Sequence, residues 1–424
     1  LKAISKKERE RISGLSDQLY EASRSIRILR HIAWPEKVKE QFFAKNATTL
    51  PSVDYPKFDA SAILTLVASV KKKLQPEYSP IDGWLDRQAT VIEKSACMLS
   101  ATGTSRFFEL SSELYGTPHT PLRDQLSTSY ILATSFNDIT KASANLDLGA
   151  PPEACHLAHS VAEEMEHAVG KMFGDDAPKI QVVDELSANA LAGSKRIRIR
   201  RTACFTDKDI AQLIHHEAHI HVSTSLNGQA QDQLKLLRAG HPGTTKTQEG
   251  LAVFAEFISG SMDLDRMQRL ADRVLAVQLA IEGADFIDIY RYYLERTGDE
   301  SQSFENARRV CRGGVLTGGA PFTKDIVYLD GLIRIHNFLR SIVSTGRADC
   351  LRLLFCGKLD IEDIPVLYEL SQNGLCRPPK FLPPWASDLR FLLCYLTYSS
   401  FLNSMDLSEI KNHYEQLLEN VPKP

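Results

Sequence analysis

The seven residues 215–221, HHEAHIH, hold four histidines around one carboxylate, and their placement decides what the chain can be. The H-E-x-x-H spacing of zinc peptidases is missed by one place: Ile220 stands four residues after His216, and the next histidine is His221. Thr206, followed three residues later by Asp209, has the form of a capping box. A helix is therefore expected from about Asp207 through Val222, ending near Asn227-Gly228. At about 100° per residue, Ile210, Leu213, Ile214 and Ala218 form its buried stripe. Glu217 and His221 fall inside that stripe, His216 lies at its edge, and His215 and His219 point the other way, towards solvent. In a regular helix His216 and His221 diverge by about 140°, and a single π-type turn returns them to one side. Buried imidazole beside a buried carboxylate calls for a partner such as a metal. From this segment alone a zinc site, a solvated histidine tract and a hydrogen-bonded core pair all stay open.

Residues 244–257, TTKTQEGLAVFAEF, offer a further donor. Glu249 lies near the start of a second, largely apolar helix, and Glu256, seven residues on, shares its face. Catalytic zinc commonly takes three protein ligands and leaves the fourth position to water. The rival reading pairs Glu249 and Glu256 with arginines in a structural network. Together, HEAHIH and QEGLA resemble the QEGLA-motif metallopeptidases, a family that includes microtubule-associated tyrosine carboxypeptidase. The likeness extends to STSLNGQAQ at 223–231 and to RGGVLTGGAPFTKDIVYLDG at 312–331. It implies Zn2+ held by His216, His221 and Glu249 in a zincin-like core. With zinc so held, Glu217 is placed as general base. A carboxypeptidase also needs a cation for the substrate's C-terminal carboxylate and a donor for the oxyanion. Arg312 or Lys324 is the candidate for the first and Tyr328 for the second. The plainer reading makes Lys324-Asp325 a surface pair and Tyr328 a core residue. Gly314 to Gly319 is no phosphate loop, since Ala320 stands where a lysine is required.

Around these motifs the chain reads as mostly helical α+β, with a small sheet and two ligand-bearing helices. Residues 1–175 form a helical lobe, 176–345 the peptidase core and 346–424 a second helical lobe. KIQVV at 179–183 and KRIRIRR at 195–201 alternate like two paired strands. The second could bind peptide by strand addition, or its arginines could simply face solvent. Glu164 and His167 have di-iron spacing, but a second such motif is missing, so His156, Glu163 and His167 read as solvated or helix-pairing residues. His241, in AGHPG, reads as a turn residue.

With 50 basic and 53 acidic residues the net charge is −3, which gives no electrostatic case for nucleic acid or an anionic membrane. No apolar run of about 18 residues exists, so no membrane span is expected. The eight cysteines lack any C-x-x-C pair and read as free, mostly buried thiols of a cytoplasmic protein. The expected function is a zinc metallocarboxypeptidase acting on the C-terminal tail of a peptide or protein. Its rival is a non-catalytic helical binding protein with a structural or degenerate zinc site.

Overall fold

The computed structural model of the chain describes residues 3–143, 145–149, 156–184, 186, 189–419 and 421. Helices dominate, with one three-stranded and one two-stranded sheet, an α+β composition. The larger hydrophobic core draws on residues from Ile12 to Leu396, including the helices Lys6–Arg24, Pro80–Ser100, Pro242–Ile258, Leu264–Ile281 and Val327–Ser344. A smaller core, from Ala158 to Val222, joins the helix Ala158–Phe173 to the three-stranded sheet and the histidine segment. No helix among the described residues is long and apolar enough to cross a membrane.

In the three-stranded sheet Arg196–Arg200 is central. Lys179–Val183 pairs with it in parallel, Ile180 opposite Ile197, and Ala190–Ala192 pairs antiparallel on its other side. The alternation seen in the sequence is the alternation of the pleat: Ile197 and Ile199 are fully buried, while Arg196 is exposed and Arg198 and Arg200 half-exposed. Both sides of this strand are taken, so it cannot accept a peptide by addition, which corrects that expectation. The edges belong to Lys179–Val183 and to Ala190–Ala192, the latter a strand hidden from sequence reading inside DELSANALAGS. Residues 185, 187 and 188 of that segment lie outside the described ones.

The thiol expectation also needs correction. Cys97, Cys311, Cys350, Cys356, Cys376 and Cys394 are free, but Cys204 is disulfide-bonded, and Cys155 lies outside the described residues. Cys204 sits on the two-residue strand Cys204–Phe205, antiparallel to His156–Leu157. Sequence spacing cannot register contacts between segments so far apart.

Two glycine contacts set the framework of the site. A Cβ on Gly250 would lie 2.3 Å from the carbonyl oxygen of Gly331, and one on Gly331 would lie 2.3 Å from that of Lys246. Glycine inside a helix costs about 1 kcal/mol against alanine. Here it lets the helix Pro242–Ile258 cross Val327–Ser344 backbone to backbone. The second contact brings the 355–358 segment against the histidine helix, where a Cβ on Gly357 would stand 3.2 Å from Gly228 Cα. Next to it, Asn227 donates to the Phe355 and Phe381 carbonyls and accepts from the Lys380 and Phe381 amides. Gln231 donates to the Cys356 and Arg377 carbonyls and accepts from the Arg377 amide.

Candidate metal centre

The expected capping box is present: Thr206 Oγ1 accepts from the Asp209 amide, and Asp209 accepts from the Thr206 amide. From there an α-helix over Asp207–Leu213 passes into a π-helix over Ile214–Val222 and back to an α-helix over Ser223–Gln229. The wider i→i+5 turn stacks His216 and His221, their ring centroids 4.9 Å apart at 79°. Glu249 arrives from the crossing helix. Its Oε2 lies 3.5 Å from Nε2 of His216 and 3.5 Å from Nε2 of His221. One donor atom from each residue falls within 4.8 Å of the others, a grouping able to hold a metal ion, and no other such group occurs among the described residues.

The charges of the donor set suit a cation. Burial pushes the Glu249 carboxyl up, but Lys324, His216 and His221 hold it well below the carboxylate range. Burial pulls His216 down, and its hydrogen bonding to the carboxylates of Glu249 and Glu256 more than reverses this, raising it to about 10. The set thus attracts positive charge strongly enough to overcome desolvation. Glu256 Oε1 meets Nδ1 of His216 at 2.7 Å and leaves Nε2 facing Glu249. Arg266 holds Glu256 in turn through two bonds of 2.7 and 2.8 Å. A carboxylate fixing the far nitrogen of a ligating histidine is the usual outer support of a metal site. The two readings of Glu249 and Glu256 therefore divide between them, Glu256 pairing with arginine and Glu249 facing the histidines.

Glu217 projects to the sheet, where its Oε2 accepts from the Ala192 amide at 3.1 Å. Lys324-Asp325 is not a surface pair, since Asp325 is buried against Arg309 and Lys324 turns inward, while Tyr328 does belong to the core and meets the cations there. Lys324 Nζ lies 3.4 Å from Glu249 Oε1 and 5.1 Å from the centre of the Tyr328 ring. Arg273 covers the same ring at 4.6 Å, and Arg309 approaches the Tyr328 hydroxyl at 3.3 Å while pairing with Asp325 at 2.7 Å. Burial and Glu249 push the Tyr328 phenol up, but Lys324, Arg309 and Arg273 bring it below its ordinary value. Arg312 is buried, its Nε has no hydrogen-bond partner, and it forms no ion pair with this cluster.

The helical wheel misplaces His219. It was expected in solvent, yet it is buried, with Nδ1 3.1 Å from Nδ1 of His215, and burial lowers it to about 4. A wheel stepped at 100° per residue fails through nine residues of π-helix. His156 hydrogen-bonds Asp207. Sequence reading missed Lys358, whose Nζ donates to Thr224 Oγ1 and Gln248 Oε1 at 2.9 Å each and to the His221 carbonyl at 3.3 Å. Burial lowers it to about 8 against the pull of Glu249 and Glu217. A lone lysine after Cys356-Gly357 carries no motif, so only its position reveals it.

A largely buried two-histidine, one-glutamate cluster beside a second carboxylate at a strand edge is a layout shared with hydrolases, and comparison narrows the class. Residues 40–404 match the microtubule-associated tyrosine carboxypeptidase family. The chain belongs to that family of carboxypeptidases. No match to a curated protein was found.

Proposed function

We propose that the protein is a zinc-dependent carboxypeptidase with a zincin-like centre, removing a C-terminal residue from a protein tail in the cytoplasm. The family name points to tyrosine as that residue and to a microtubule-associated tail as the substrate class. The observation that carries the reading is the convergence of His216, His221 and Glu249 through the π-helix. These three residues would hold the ion, with ring orientation fixed for His216 by Glu256. Bound zinc supplies a Lewis acid that acidifies water and polarises the scissile carbonyl.

The remaining work falls to the protein's own groups. The Ala192 amide anchors one oxygen of Glu217, so the other is available to take the proton of the attacking water and pass it to the leaving amine. Alternation along the edge strand turns Ala190 to the same side as Ala192, which gives an extended peptide a backbone ladder beside the base. Tyr328, its phenol acidified by three cations, donates towards the developing oxyanion. Lys324, next to Glu249, receives the substrate's terminal carboxylate.

The test joins metal analysis to trimming of peptides by wild type and Glu217→Gln. About one zinc per chain, with trimming in wild type alone, is the expected result. Freshly purified protein without zinc, or a Glu217→Gln variant as active as wild type, would overturn the reading.

A further inference from the structure

His241, Thr245 and Glu249 are spaced four apart and share one face of the helix Pro242–Ile258, His241 standing at its N-cap. A cavity of about 300 Å³ opens along this face, walled by Ile28, Tyr115, His241, Pro242, Thr245 and Lys324. Lys324 belongs both to this cavity and to the metal centre, where it touches Glu249 at 3.4 Å. The cavity thus begins where the reacting groups end. From Glu249 to His241 is eight residues, roughly 12 Å of helix. The path from a scissile carbonyl to the tip of the next residue's aromatic side chain is roughly 10 Å by standard bond lengths.

His241 is only 8% exposed, and its ring Nδ1 has no hydrogen-bond partner among the described residues. Its Nδ1 is wholly buried against the first turn, where a Cβ on Gly243 would come within 3.3 Å of it. The ring is neutral, since burial lowers it to about 4. A buried neutral imidazole with its Nδ1 unpartnered, at the end of a slot walled by isoleucine, tyrosine and proline, suits an aromatic ring with a hydroxyl at its tip. Arg27 and Arg30 also line the cavity, but both are exposed, and their charges are screened by water.

We propose that this cavity takes the side chain of the substrate's C-terminal residue, and that His241 determines specificity by hydrogen bonding a phenolic hydroxyl. The inference rests on the carboxypeptidase reading and adds the residue that selects tyrosine over phenylalanine. A buried polar group left unpaired by the wrong substrate discriminates against it strongly.

Two arms test this. The first compares kcat/KM for otherwise identical peptides ending in Tyr, Phe or Glu, in wild type and His241→Phe. Wild type should favour Tyr over Phe at least about tenfold, and the variant should bring that ratio towards one. The second arm measures affinity of the same peptides for Glu217→Gln protein, with and without His241→Phe, so the cavity is read without turnover. His241→Leu serves if the phenylalanine variant does not fold. A wild-type Tyr to Phe ratio near one, a ratio unmoved by both variants, or a preference for Glu would overturn the assignment. Absent trimming of every peptide, with Tyr-selective binding that depends on His241, would sink the peptidase reading and leave the cavity assignment standing.

Discussion

Gly250→Ala sets two opposing effects against each other. In an ordinary helix interior the change stabilises by about 1 kcal/mol, because alanine has the better helix propensity. At Gly250 the new Cβ would stand 2.3 Å from the Gly331 carbonyl oxygen and 2.4 Å from its carbon, over 1 Å short of ordinary contact. Both obstacles are backbone, so no rotamer change relieves them. Overpacking of this kind costs about 1–3 kcal/mol, and the expected net effect is a loss. The site amplifies the effect, since Glu249 is the adjacent residue, and metal ligands tolerate displacements of only about 0.2 Å. Opening the helix crossing by 1 Å shifts Glu249 relative to the histidines. Urea unfolding and a zinc competition titration read the two consequences together. We expect a lower midpoint and weakened zinc retention in Gly250→Ala, and the same in Gly331→Ala. A Gly250→Ala protein about 1 kcal/mol more stable than wild type with unchanged zinc affinity would refute the crossing argument.

Glu256→Gln should weaken zinc about 10–100-fold, the usual cost of removing an outer carboxylate from a ligating histidine, and a chelator titration measures it. It should also destabilise by about 3 kcal/mol, because Arg266 is left buried without its partner; Glu256→Gln with Arg266→Met should recover part of that loss. Stability should fall as pH drops from about 6.5 towards 4, because His241 titrates near 6.5 unfolded and about 4 folded, so the unfolded chain binds more protons there. At pH 5 this group accounts for about 2 kcal/mol, and in chelator-treated protein the pH dependence of urea unfolding should flatten by that amount in His241→Phe. An unchanged slope would show that the ring is not buried neutral.

Much of the centre was legible because its signals are local. The capping box at Thr206 and Asp209, the five-residue separation that demands a π-turn, and the glutamate of QEG are each fixed within a few residues. What stayed hidden depends on partners far away in the chain. Arg196–Arg200 alternates like any half-buried strand, and only pairing on both sides makes it central. Ala190–Ala192 is too short and too small in side chain to announce itself as a strand. Arg273 and Lys358 lack motifs, and their roles come from what folds around Tyr328 and His221. His219 went astray for the opposite reason: the π-turn was foreseen for His216 and His221 but the wheel was not redrawn around it.

The π-helix is held by its two ends. Upstream, the capping box fixes where Asp207 begins the turn; downstream, Asn227 and Gln231 are tied by seven hydrogen bonds to the 355–381 region. A rod anchored this way must keep its residue count, for slipping back to α-register would break four hydrogen bonds of Asn227 at once. Conformational entropy of about 1–2 kcal/mol per residue is therefore spent during folding rather than at the site. On the proposed metal reading an ion would meet a site already folded, and losing one residue between His216 and His221 would damage the anchors near Phe355 as surely as the centre itself.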